Sequence, residues 1–208
     1  MQIEPYDPHH IDAVIRLSRR AWAPVFDSIQ KAMNVDVYQA FYPNHWRVSQ
    51  QKAVEDVCAA EDTNVWVAID AGSTVGFIAV KLHSEDSMGE IYTVAVDPEF
   101  QGRGIGTALI EFAPCWMKNA GMSVAMVETG GNPGHERSRH TYEKVGFELF
   151  PVARYFKKLG SADVKSQGLL CSRGAIALVP ILRLSMIRLG STSSKRRSCI
   201  GAVIVTLG

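Results

Sequence analysis

Glu90-Ile91-Tyr92-Thr93-Val94-Ala95-Val96, then Asp97-Pro98-Glu99-Phe100, then Gln101-Gly102-Arg103-Gly104-Ile105-Gly106, then Thr107-Ala108-Leu109-Ile110-Glu111-Phe112: this run decides the fold. Its first segment is β-branched and aromatic, bounded by Gly89 and by Asp97-Pro98, as a buried strand is. Three glycines at alternate positions follow, where a Cβ would keep backbone amides away from a ligand. They lead into a helix whose unpaired N–H groups and dipole favour an anion, a pyrophosphate above all.

Gln101-Gly102-Arg103-Gly104-Ile105-Gly106 resembles the Gln/Arg-x-x-Gly-x-Gly/Ala signature of the GNAT acetyltransferase superfamily, and Val94 to Phe100 resembles the strand and turn before it. Downstream, Thr141-Tyr142-Glu143-Lys144-Val145-Gly146-Phe147 is similar to the end of that family's fourth helix. The resemblance covers residues 1–159. It implies the GNAT acyl-CoA N-acyltransferase fold, an α/β domain with a mixed, mostly antiparallel sheet flanked by helices. Residues 160–208 fall outside it and are expected to be a weakly ordered, dispensable basic extension.

Charge follows the same division. Residues 1–163 carry 15 basic and 21 acidic residues, whereas the seven basic residues after Asp163 face no acidic ones. An acidic body argues against a nucleic-acid surface and suits a cationic substrate. No uncharged apolar run of about 18 residues marks a membrane span, and the N-terminus lacks the basic start and apolar run of a signal peptide. Cys58, Cys115, Cys171 and Cys199 stand singly, without metal-ligand or disulfide spacing, so a reducing cytoplasm and no metal are expected.

Along the chain, residues 2–5 suit a short strand, and Asp7-Pro8 opens a helix over 9–22 that Pro24 interrupts. A second helical region, 26–60, breaks near Pro43-Asn44 and is rich in aromatics: Phe26, Tyr38, Phe41, Tyr42 and Trp46. These read more readily as core than as the wall of an acceptor site. Residues 64–69 and 74–82 flank Asp70-Ala71-Gly72-Ser73 as an antiparallel pair. The helix over 104–120 contains Pro114, which predicts a kink or a split. Residues 123–128 suit a strand, Asn132 and Pro133 open a helix that ends at Gly146, and 147–150 with 152–158 suit closing strands.

Acetyl transfer from a thioester to an amine requires a cofactor held by its phosphates, a neutral amine and a proton for the departing thiolate. An alkylammonium is neutral in roughly one molecule in 2,500 at pH 7, so a base or a water path to one is expected. For acetyl-CoA the motif implies Gln101, Gly102, Arg103, Gly104, Gly106 and Thr107, with the backbone of Val94, Ala95 and Val96 along the pantetheine arm. The resemblance implies Tyr142 as the acid. The asparagine usual seven positions before that tyrosine is replaced by His135, and Asn132, ten before, is carried as a weaker contact. Glu90 is the leading base; His83 and His135 are alternatives.

Three details count against a dinucleotide reading, from Gly102-x-Gly104 with Glu128 further on: Thr107 holds the third glycine position, a turn separates strand from glycines, and no strand-helix alternation precedes them. A P-loop is excluded by the absence of Gly-Lys-Ser/Thr. The expected function is therefore an acetyl-CoA-dependent N-acetyltransferase acting on a primary amine of a small molecule or peptide, as monomer or homodimer. A non-catalytic acyl-CoA-binding sensor of the same fold is the alternative.

Overall fold

The computed structural model describes residues 1–159; the basic extension lies outside the described residues. Five strands form one sheet in the order β1 (Gln2–Pro5), β2 (Thr63–Asp70), β3 (Ser73–His83), β4 (Met88–Val96), β5 (Val124–Val127). The first four are antiparallel neighbours and β5 joins β4 in parallel. The expected mixed, mostly antiparallel sheet is therefore present.

One face is covered by α1 (Ile11–Ala32), with α2 (Val35–Phe41) and α3 (Trp46–Ala59) following. Val14, Leu17, Ser18, Ala21, Trp22, Val25 and Phe26 form the buried stripe of α1, at the i, i+3, i+4 spacing that turns one face of a helix inward. Trp22 meets Phe77 of β3 edge-on. α1 runs through Pro24, where an interruption was expected. A helix-interior proline costs about 3 kcal/mol, and Val25 and Phe26 beyond it, both 1% exposed, each recover about 1.5–3 kcal/mol by burial. The break before α3 falls at residues 42–45 as expected, and Met33–Asn34 adds a second break before α2. Phe26, Tyr38 and Trp46 are buried in this layer, with Phe26 stacked on Trp46 at 4.4 Å.

The other face carries α4 (Ile105–Asn119), which buries Ile105, Leu109, Ile110, Ala113 and Met117 against Ile78, Val80, Ile91, Val94 and Val96. It too is continuous through its proline, Pro114, for the same reason: Ala113 and Met117 hold the second half in the core. After β5 a 3-10 turn (Pro133–His135) leads into α5 (Glu136–Lys144), closed by Gly146 at φ +93°.

The two closing strands do not form. Residues 147–159 have no regular structure, and Leu149, Phe150, Val152, Tyr155 and Leu159 are exposed. A strand needs a neighbour that completes its hydrogen-bond ladder, and Pro151 withholds a donor in mid-segment. The segment is held by side chains instead: Arg154 on Glu128, Phe156 against Phe41, and Lys158 near Asp36.

Candidate functional site

The site begins where two neighbouring strands part. β5 pairs with β4 from Met88–Val124 to Ile91–Val127 and no further, while β4 continues to Val96. At the same point β4 bulges, since Ala79 of β3 faces Thr93 and Val80 faces Ile91, leaving Tyr92 without an opposite number. A bulge bends its strand and sharpens the local twist, which turns the upper half of β4 away from β5.

Backbone direction above the bulge follows from the ladder. Asp97 N–H donates to Val75 C=O at 2.8 Å, so the pairs two residues apart, Ala95–Phe77 and Thr93–Ala79, use their backbone groups on β3. Val94 and Val96 point theirs into the gap beside β5. Val96 C=O accepts from Gln101 Nε2 at 3.0 Å, so the Gln101 side chain closes the strand end. Of the three residues expected to offer backbone to a pantetheine arm, Ala95 is committed to β3, while Val94 and Val96 keep groups free to face one.

The glycine loop sits at the top of this gap. Gly102 and Gly104 have φ +74° and +81°, where side chains are strained, and a Cβ built on either meets no atom within 4 Å. The cradle is therefore open, and the first amide of α4 bonded within the helix is Ala108, to Gly104 C=O. The N–H groups of Ile105, Gly106 and Thr107 precede it at the positive end of the helix. Arg103 lies over the Phe100 ring and donates to Glu99 C=O at 3.0 Å. Arg20 of α1 anchors the turn by pairing with Asp97 at 3.0 Å and Glu99 at 2.6 Å.

Facing the loop is a hollow of about 850 Å³ lined by Pro98, Gln101, Gly102 and, from α5, the carboxylates Glu136 and Glu143, His140, Thr141 and the cations Arg137 and Arg139. These cations were not foreseen. Their signal was the pair of arginines, Arg137 and Arg139, on the helix expected to carry Tyr142 and Asn132. Arg139 donates to Gly130 C=O at 2.6 Å and to Asn132 C=O at 3.0 Å, which fixes the turn before α5. The open cradle, the amides at its base and the cations opposite fit the phosphates of a coenzyme.

Tyr142 is 4% exposed, within the apolar cluster that α4 shares with the sheet, and meets Phe147 edge-on. Its hydroxyl has no hydrogen-bond partner among the described residues, and burial holds its pKa well above 10. Asn132 does not cap the following turn. Its Nδ2 donates to Ser28 Oγ at 3.0 Å and its Oδ1 accepts from His135 Nδ1 at 2.7 Å. His135 is thereby neutral, its pKa lowered to about 4 by burial and by Arg139, with Nε2 buried and unpartnered.

Glu90 lies on the opposite sheet face from Ile91, below the bulge. It is not alone: His83 Nε2 lies 2.9 Å from its Oε2, and Lys81 of β3 sits over Tyr92 at 4.4 Å while pairing with Asp62. Burial, then the charges of Glu90 and Asp62, raise the Tyr92 pKa. Glu90 and Tyr142 thus stand on opposite faces of the sheet, to either side of the gap. Among the described residues no His, Cys, Asp and Glu cluster could hold a metal ion, and no helix is long and apolar enough to cross a membrane.

Residues 61–149 match the family described as the acetyltransferase (GNAT) domain. A mycothiol acetyltransferase of Propionibacterium freudenreichii is 37% identical over 82 residues, covering 38% of this chain and 26% of that protein. One from Mycolicibacterium gilvum is 58% identical over 98 residues, covering 46% and 32%. The chain thus spans about a quarter to a third of the length of these relatives. The PaiA N-acetyltransferase of Thermoplasma acidophilum, solved in complex with coenzyme A, shares the fold at TM-score 0.52 and 17% identity, covering 74% of this chain and 94% of that one.

Proposed function

We propose that the protein transfers the acetyl group of acetyl-CoA to a primary amine of a small molecule or peptide, with Tyr142 and Glu90 in the chemistry. The observation that carries this reading is the gap between β4 and β5. It opens at the Tyr92 bulge, ends at an open glycine cradle, and has a buried, unpartnered phenol on one side and a half-buried carboxylate on the other.

Acetyl-CoA supplies an activated acyl group. Gly102, Gly104, Gly106 and the amides through Thr107 hold its phosphates, with Gln101 and Arg103 shaping the turn. Val94 and Val96 offer backbone hydrogen bonds to its arm, as a third strand would. Asn132 orders the entrance to α5. Glu90 marks the basic end of the site, the side on which the ammonium loses its proton. Tyr142 stays protonated throughout the working range. Its ordinary pKa already exceeds that of a thiol, so it acts by donating a hydrogen bond while the C–S bond breaks, not by full transfer beforehand.

The acidic body, with 21 acidic against 15 basic residues through residue 163, favours a cationic acceptor. A mycothiol-related acceptor, after the name of the relatives, is one candidate and a polyamine another. Cys58 and Cys115 are free, and with the acidic surface they support a reducing cytoplasmic setting without nucleic acid, the chain acting as monomer or homodimer.

The test is release of free CoA thiol from acetyl-CoA with a panel of amines. Amine-dependent release supports the enzyme. Heat stabilisation by acetyl-CoA with no release for any amine supports an acyl-CoA-binding sensor.

A further inference from the structure

We infer that the proton acceptor for the incoming amine is His83, through its Nδ1, and that Glu90 is a positioning residue acting through it. This rests on the acetyltransferase reading above. His83 closes β3 and Glu90 is the third residue of β4; Lys81, the Cα partner of Glu90, shares a sheet face with His83 two residues on. The bulge brings Tyr92 to the same face, where Lys81 covers its ring. α1 covers this face further along, at Phe77 and Ala95. Lys81, His83, Glu90 and Tyr92 are only half-buried, so the patch is open to an acceptor beside the point where β4 and β5 part.

The hydrogen bond decides the division of labour. An ionised carboxylate only accepts, so at 2.9 Å from Glu90 Oε2 the His83 Nε2 carries the hydrogen. Nδ1 is then left as a lone pair, the basic position of a neutral imidazole. A carboxylate already receiving that bond is a poor direct base, yet it stabilises the imidazolium formed when Nδ1 takes a proton, the division of roles seen wherever a carboxylate orients a histidine base. Lys81 does not compete for Glu90, because its ammonium is held by Asp62 at 3.2 Å and by the face of Tyr92.

The step balances as follows. R–NH₃⁺ gives one proton to His83 Nδ1. The free amine forms the C–N bond as the C–S bond breaks, and the departing thiolate accepts a hydrogen bond from the Tyr142 hydroxyl. The thiolate then takes the second proton lost from nitrogen, and the His83 proton passes to solvent. The net change is one amide, one thiol and one proton released.

The experiment uses the full chain with acetyl-CoA and spermidine, followed by thiol release, together with nitrogen NMR of the histidine rings. In the unliganded protein the His83 ring is expected with hydrogen on Nε2 and none on Nδ1, and Glu90→Ala is expected to lose that preference. His83→Gln should lower kcat about 100-fold or more with the KM for acetyl-CoA within about threefold, as expected of a group that acts only on the proton. Added imidazole should restore part of the rate to His83→Ala. Full kcat in His83→Gln, or hydrogen found on Nδ1 in the wild-type ring, overturns the inference and leaves Glu90 as the direct base. A wild-type chain inactive towards spermidine and the rest of the amine panel overturns the acetyltransferase reading and this inference with it.

Discussion

Tyr142 carries a polar atom that the folded chain leaves unsatisfied, and this separates its two roles experimentally. A buried hydroxyl without a partner costs about 1–3 kcal/mol, so Tyr142→Phe is expected to melt no lower than wild type. If the phenol donates to the departing thiolate, the same change lowers kcat about 10- to 100-fold, the worth of a hydrogen bond to a charged group, with little change in acetyl-CoA affinity. A variant that melts lower and keeps its rate would make Tyr142 a packing residue. Gly104, at φ +81° with open space where a Cβ would stand, gives the companion test. Gly104→Val should abolish the rise in Tm that acetyl-CoA confers, since its side chain occupies the phosphate's space and strains the turn by about 1–2 kcal/mol. His135 makes a pH prediction. Its pKa falls from 6.5 to about 4 on folding, so the folded state prefers the neutral ring. The stability this contributes is whole above pH 6.5 and is lost as pH falls towards about 4. Denaturant titrations across that window should show a shallower acid loss in His135→Gln than in wild type. Neither the tyrosine's missing partner nor the histidine's neutral state was legible in the sequence, because burial is the main cause of both and comes from elements distant along the chain, as where Ser28 of α1 meets Asn132 across 104 positions.

At the scale of elements, the strand, glycine turn and helix over residues 88–119 could be read from local pattern because each boundary is set by a residue with one conformational habit. Asp97 caps its turn, Pro98 opens it, and Gly104 takes the left-handed backbone at the start of α4. The prolines at 24 and 114 misled the same kind of reading, since the cost of a missing donor is local and the burial that outweighs it is not. The closing strands failed for the converse reason: residues 147–158 have strand-like composition, but no neighbour supplies a ladder. The contact that seats α5 was likewise hidden. A Cβ on Gly134 would lie 2.8 Å from Ser28 Cβ and 3.1 Å from Val25 Cα, and Gly134 N–H donates to Ser28 Oγ at 2.9 Å. Gly134→Ala should therefore push the turn off α1 and destabilise the protein by about 1–3 kcal/mol, measured by urea unfolding. An unchanged midpoint would mean that this contact yields easily.

For the whole molecule, we propose that residues 1–159 fold as the acetyltransferase domain and that residues 160–208 are dispensable to it. The family resemblance ends within the first stretch, and the seven basic residues after Asp163 have no acidic ones among them. A chain ending after Gly160 should melt within a few degrees of the full chain and keep its acetyl-transfer rate; failure to fold, or loss of an activity the full chain has, would make the tail part of the domain. The sequence by itself determined the family resemblance, the central strand and helix, the glycine turn and the candidate acid, because a signature fixes residue type and spacing along one continuous segment. Only the tertiary structure decided that β4 leaves β5 at Tyr92, that Val94 and Val96 but not Ala95 turn their backbone to the gap, that α5 sets Arg137 and Arg139 beside the loop, and that Glu90 meets His83. Each of these depends on which strand or helix lies alongside, and hydrogen-bond direction and pairing register exist only between segments, never within one.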